Sequence, residues 1–204
     1  MAQVVTPVRM LTNLGSNTHM DLLNIDQYKK HFKGFGVRDC VVRTKDVFYF
    51  VLFQDWDDSK PKPFDDELET RLVPLFLAKE NKWSHSVLTG FGGLMAGAAQ
   101  YPMSQGVMVD RHAQVFSIGG GLFEVENNIP GGGGMGPMRG GVRRIKQIDG
   151  WLYASGGLRS LCKRLGRNEW QEIGPLPPEG RGETGFDDFD AFSASDIYAA
   201  GGQG

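Results

Sequence analysis

Asp149-Gly150-Trp151-Leu152-Tyr153-Ala154-Ser155-Gly156-Gly157 returns near the end of the chain as Ser195-Asp196-Ile197-Tyr198-Ala199-Ala200-Gly201-Gly202. Each copy holds a two-residue turn, a strand of apolar, aromatic and small residues, and a glycine pair. The two tyrosines stand 45 positions apart. Weaker copies lie upstream, in Lys45-Asp46-Val47-Phe48-Tyr49-Phe50-Val51 and in Arg111-His112-Ala113-Gln114-Val115-Phe116-Ser117-Ile118-Gly119-Gly120, so the unit recurs about four times. A second echo sets Glu80-Asn81-Lys82-Trp83 against Arg167-Asn168-Glu169-Trp170, with a tryptophan opening a strand after a polar turn.

Around these copies the chain breaks into short β-branched and aromatic runs separated by turn residues. Strands are predicted at 37–43, 47–53, 72–78, 83–88, 106–110, 115–118, 122–126, 142–148, 151–155, 160–164, 170–173 and 197–200. A period of roughly 40 to 50 residues with four strands per unit is that of β-propeller blades. The fold expected is therefore all-β: four-stranded antiparallel blades over 37–204, with the last blade truncated and the ring incomplete. Tyr49, Trp83, Phe116, Trp151, Tyr153, Trp170 and Tyr198 are the recurring structural positions, aromatics that fill the gaps between sheets. Ala154, Ser155, Ala199 and Ala200 suit inner strands, where blades converge. A chain that stops after two strands of a blade exposes unpaired edges, so the sequence is expected to be a fragment of a longer product.

Residues 1–36 form an N-terminal segment with one short helix over 17–33, ended by Gly34 and Gly36. The acidic stretch 55–69, with Asp57, Asp58, Asp65 and Asp66, reads as a long surface loop between two strands. The glycine-rich run 129–141 reads as a mobile connection.

Composition agrees. Glycine fills 29 of 204 positions, about twice its usual share, beside 13 Phe, 5 Tyr and 4 Trp. Twenty-two basic against 24 acidic side chains give a net charge of −2, which offers no footprint for nucleic acid or an anionic membrane. Met1–Arg9 lacks the basic patch, apolar run and cleavage site of a secretory signal, and no apolar run approaches the roughly 18 residues of a membrane span. A cytoplasmic location is expected, and with it two buried free thiols at Cys40 and Cys162.

The stretch 189–204 and the unit before it resemble the repeats of bacterial β-propellers of the kelch, WD-repeat and sialidase-like kind. In those repeats an Asp-(Ile or Val)-Tyr-Ala-x-Gly strand is commonly followed by a Trp-bearing outer strand. The resemblance is good over 142–204 and loose before it. It implies an architecture rather than a reaction, and the Trp-Asp dipeptide that marks the WD group occurs only as Trp56-Asp57, inside the acidic loop.

Catalytic patterns are weak. None of His19, His31, His85 and His112 sits in a nucleophile-elbow context, and neither His nor Cys occurs twice within five residues, as a zinc site would want. Counting from Asp55, an EF-hand would need Gly and Glu where Lys60 and Asp66 stand. Asp187, Asp188 and Asp190 read as turn-closing side chains. The glycines of 131–136 precede Pro137 and Arg139 instead of a Walker lysine. Arg143, Arg144, Arg159 and Arg164 with Tyr153 fall within one blade, whereas a sialidase-like site would draw on several. No catalytic residue, metal or cofactor is assigned.

The function expected is a non-enzymatic intracellular propeller that binds another protein, such as an immunity protein against a bacterial toxin. Its partner-binding residues are Asp57, Asp58, Asp65 and Asp66, suited to a basic partner. The alternatives are a glycan-acting hydrolase or lyase of sialidase-like type, and a structural repeat region of a larger protein.

Overall fold

The computed structural model describes residues 22–61, 63–131, 136–175 and 185–202. Among these residues, after one helix, α1 (Ile25–His31), every further element is a strand. The first sheet holds β1 (Phe35–Thr44), β2 (Val47–Gln54), β3 (Thr70–Phe76) and β4 (Ser86–Leu88). The second holds β5 (Met95–Ala99), β6 (Gln105–Val109), β7 (Val115–Gly119) and β8 (Leu122–Val125). The third holds β9 (Val142–Ile148), β10 (Trp151–Gly156), β11 (Leu161–Gly166) and β12 (Glu169–Glu172), and a hairpin follows in β13 (Asp188–Ser193) and β14 (Asp196–Ala200). Every sheet is an antiparallel meander in chain order. The protein is thus all-β and built from four-stranded antiparallel units.

The first strands stack in series: β1 packs on β5, β5 on β9 and β9 on β13, with no closed ring among the described residues. Each space between sheets has its own core. Tyr49, Val51 and Phe53 of β2 meet Met108, Phe116 and Ile118 of the second sheet. Val107 and Val109 meet Ile145, Leu152, Ala154 and Trp170, and Ile148, Tyr153 and Leu161 meet Phe189. Strand side chains alternate between faces, so Leu52 and Val73 of the first sheet point the other way, onto Phe32 after α1. Both faces of β2 are covered, which is why it reads as one unbroken apolar run.

All twelve predicted strands occur, with ends shifted by a few residues. Two more were missed, β5 and β13, and both are first strands. Met95-Ala96-Gly97-Ala98-Ala99 has no β-branched or aromatic residue, and a Cβ on Gly97 would lie 2.8 Å from Leu152 Cδ1. That strand is small because sheets press on it from both sides. Asp188-Phe189-Asp190-Ala191-Phe192-Ser193 looks like acidic loop, yet its carboxylates form a ladder with β9. Arg144 pairs with Asp188 at 3.3 Å, and Lys146 reaches Asp188 at 3.1 Å and Asp190 at 3.3 Å.

The echoes map unevenly. Tyr49, Tyr153 and Tyr198 all fall on second strands, and Trp83 and Trp170 both mark fourth strands. The copy at 111–120, however, lies on the third strand β7 with Phe116. Ala154, Ser155, Ala199 and Ala200 also sit on second strands, β10 and β14. The Asp149-Gly150 turn behaves as its residues require: both take positive φ, 48° and 80°, and Ile148 pairs with Trp151 across it.

Of the helix expected over 17–33, residues 17–21 lie outside the described ones. What is seen begins after Asn24, whose side chain accepts the Gln27 N–H at 2.9 Å in a capping box. It docks through Phe32, whose ring meets Trp83 edge-on with centroids 5.3 Å apart. The run 129–141 is no simple mobile connection where it is described, because Ile129, Met138 and Arg139 are buried. Both cysteines are free, but only Cys162 is buried; Cys40 lies on the outward-facing register of β1 and is exposed. Among the described residues no helix is long and apolar enough to cross a membrane.

Candidate functional site

The first strands open at one end into a cavity of about 870 Å³, lined by five arginines and two aspartates. Arg38 comes from β1, Arg111 from the turn between β6 and β7, Arg139 from the glycine-rich segment, and Arg143 and Arg144 from β9. Positive charge from four separate segments is thereby gathered in a chain whose net charge is −2.

Backbone contacts fix these positions. Arg111 N–H donates to Gly92 O at 3.0 Å, and its own carbonyl accepts Val142 N–H at 3.0 Å, tying the second sheet to the third. Its side chain lies along Gly93, where a Cβ would come within 2.7 Å of Arg111 Nε. Gly93 also takes a φ of +67°, so the wall is glycine for two reasons. Gly140 and Gly157 face each other so closely that a Cβ on Gly140 would stand 2.9 Å from Gly157 Cα.

The five arginines are not equivalent. Arg139 is buried and its fork is spent: it donates to the carbonyls of Leu158 at 3.1 Å, Arg159 at 3.1 Å and Pro175 at 2.8 Å, and pairs with Glu172. Burial pulls its guanidinium below the ordinary arginine value. It is a clamp for the turns of the third sheet. Arg143 pairs with Asp187, Arg144 with Asp188, and Arg111 with Asp65 at 3.7 Å, all at exposed geometry of little net strength. Arg38 is exposed and has no acidic partner among the described residues.

The carboxylates of the lining are engaged. Asp39 accepts Cys40 N–H at 2.8 Å and Ala96 N–H at 2.9 Å, while Asp187 holds Arg143 and accepts Gly202 N–H at 3.2 Å. Asp187 is nonetheless exposed, and its pair with Arg143 is of little net strength. Among the described residues no tyrosine lines the cavity.

The acidic residues predicted to bind a partner split in two. Asp57 folds back onto Ser59, accepting its hydroxyl at 2.7 Å and its amide at 3.1 Å, and these bonds hold its carboxyl below the usual range. Asp58 and Asp66 are exposed. Asp65 reaches Arg111, so the acidic loop borders the arginine-lined cavity. Of the arginines set aside at the sequence level, Arg143 and Arg144 do line the cavity, whereas Arg164 is buried far from solvent. Arg38, Arg111 and Arg139 went unrecognised, and only the order of the sheets could have brought them together.

Two further clusters lie outside the cavity. Arg164 donates to Glu126 at 2.6 Å and Gln105 at 3.0 Å, and Glu126 also accepts the Ser117 hydroxyl and Asn168 N–H, the latter at 2.8 Å. This network bridges the second and third sheets. His31 and His85, 54 positions apart, bring their Nδ1 atoms to 2.8 Å, so one ring donates and the other accepts. Among the described residues no three His, Cys, Asp or Glu converge as metal ligands.

No family model matches the chain, and no solved structure matches it. Over 106 residues it is 35% identical to the immune protein Tsi7 of Pseudomonas aeruginosa. The matched stretch is 50% of this chain and 34% of that protein, so the chain spans about a third of the length of the relative it matches.

Proposed function

We propose that the protein is a non-enzymatic binding module of β-propeller type that acts as an immunity protein, neutralising a bacterial toxin by occupying its surface. The observation that carries this reading is the similarity over half the chain to a protein named as an immune protein. The architecture supports it: four-stranded meanders stacked through their first strands leave one end of the molecule as a broad face of turns. The chemistry supports it too, because the lining aspartates are already bonded to amides and to arginine, which speaks against glycan hydrolysis at the same place. The acidic loop with Asp57, Asp58, Asp65 and Asp66 borders the cavity and belongs to the proposed contact surface, Asp58 and Asp66 facing a basic element of the partner.

The test is co-expression in a heterologous bacterium of the neighbouring open reading frame with and without this protein. Growth arrest by the neighbour alone, rescue by co-expression and a stoichiometric complex on size exclusion are expected. A neighbour that is harmless, or rescue with no complex formed, would rule the reading out.

A further inference from the structure

We propose that the His31–His85 pair is a two-proton latch that holds α1 on the first sheet and releases it in acid while the sheets stay folded. The helix has little else to hold it. Only His31 and the following Phe32 are buried, whereas Ile25, Asp26, Tyr28, Lys29 and Lys30 are exposed. Phe32 covers Leu52 and Val73, and upstream the Trp83 Nε1–H donates to Leu22 O at 2.6 Å. An element with so few buried contacts opens at low free energy, ahead of global unfolding.

The pair responds to its second proton rather than its first. With the Nδ1 atoms 2.8 Å apart, one ring carries its hydrogen on Nδ1 and donates, and the other carries its hydrogen on Nε2 and accepts. A first proton enters at the free Nε2 of the donor ring, and the bond survives as a charge-assisted one. The accepting ring has one basic nitrogen, the Nδ1 inside the bond. A second proton must land there, which turns acceptor into donor and sets two imidazolium N–H groups against each other. The surroundings add to that repulsion. Lys30 of α1 and Arg71 of β3 act on both rings, and the opposing carboxylate, Glu69 just before β3, is itself paired with Arg71 at 2.9 Å. The neighbours from β1, β2 and the segment before β4 are Phe35, Phe50, Leu52 and Trp83, which carry no charge. Burial holds both rings below the ordinary histidine value, so the latch is closed at neutral pH and opens on the acid side. Opening lifts Phe32 and uncovers the apolar face of Leu52 and Val73.

Amide hydrogen exchange of the whole chain between about pH 7.5 and about pH 4.5, corrected for the intrinsic rate, tests the latch. The amides of Tyr28 and Phe32, bonded to Asn24 O and Tyr28 O at 2.9 Å, should lose protection about tenfold or more toward acid, while those of β6 and β10 change by less than about twofold. In His85→Gln the new amide still pairs with His31 but takes no proton, so the loss in α1 should fall below about twofold. Ring-proton NMR of the unaltered chain gives a second reading: His31 and His85 should titrate in two linked steps, the second coinciding with exposure of α1. Protection of α1 unchanged by acid, an equal loss in the sheets, the same loss in His85→Gln, or a single shared step in the ring titration would overturn the proposal.

Discussion

Replacing Arg164 with methionine tests whether the buried network between the second and third sheets is held by charge pairing. The side chains of Arg164 and Glu126 are both fully buried and meet at 2.6 Å. Methionine keeps much of the stem's volume but leaves Glu126 with only the Ser117 hydroxyl and Asn168 N–H, and strips Gln105 Oε1 of its donor. Breaking a buried pair from one side costs about 3–5 kcal/mol, and an orphaned amide oxygen adds about 1 kcal/mol or more. We expect a loss of about 4 kcal/mol, seen as a urea midpoint lower by about 1.5 M for a slope of about 2–3 kcal/mol per M. Unfolding can be followed by tryptophan fluorescence, since Trp170 lies in the same inter-sheet core. Adding Glu126→Gln removes the stranded charge while keeping an acceptor for Ser117 and Asn168, and should restore about 2 kcal/mol. A loss below about 1 kcal/mol in R164M, or a double variant no more stable than R164M, refutes the reasoning.

Acid should weaken the docking of α1: burial, then the charges of the partner ring, Lys30 and Arg71, lower His31, and burial with Arg71 and Lys30 lowers His85 against the opposing pull of Glu69. Both sit below the ordinary 6.5, so the folded state resists a proton that the unfolded chain accepts. This stability is present above about pH 6.5 and is lost as pH falls through the folded values; Tm should drop on that side, and an equal drop in His31→Phe would contradict the assignment. Thiol titration should count one reactive cysteine in the native protein and two after denaturation, because burial pushes Cys162 up to about 12 while Cys40 is exposed. Two native thiols reacting at equal rates would contradict the burial of Cys162. Gly97→Ala should destabilise by about 1–3 kcal/mol in chemical denaturation, because the added Cβ meets Leu152, Ile145 and the Val107 carbonyl at 2.8, 2.9 and 3.1 Å; unchanged stability would show that the second and third sheets pack less tightly than described.

The sequence by itself determined twelve of the fourteen described strands and their four-stranded antiparallel character. Asp149-Gly150 demands a tight hairpin, β-branched and aromatic runs demand extended chain, and a repeat near 45 positions implies units of one size. These signals are local: backbone preference and side-chain alternation act over a few residues. β5 and β13 escaped because their residues were chosen by neighbouring sheets, small side chains where two sheets press together and carboxylates where β9 offers Arg144 and Lys146. The cavity escaped for the same reason. Arg38, Arg111 and Arg144 are far apart in the chain and share no motif; only stacking of the first strands brings their guanidinium groups around one space. Tertiary packing alone also decided that Arg164 on β11 would be sealed between sheets while Arg143 and Arg144, on the edge strand β9 of the same sheet, reach the cavity. A charged side chain's role depends on what surrounds it in space, and the hydrophobic pattern that folds the strands places those neighbours without marking them in the text.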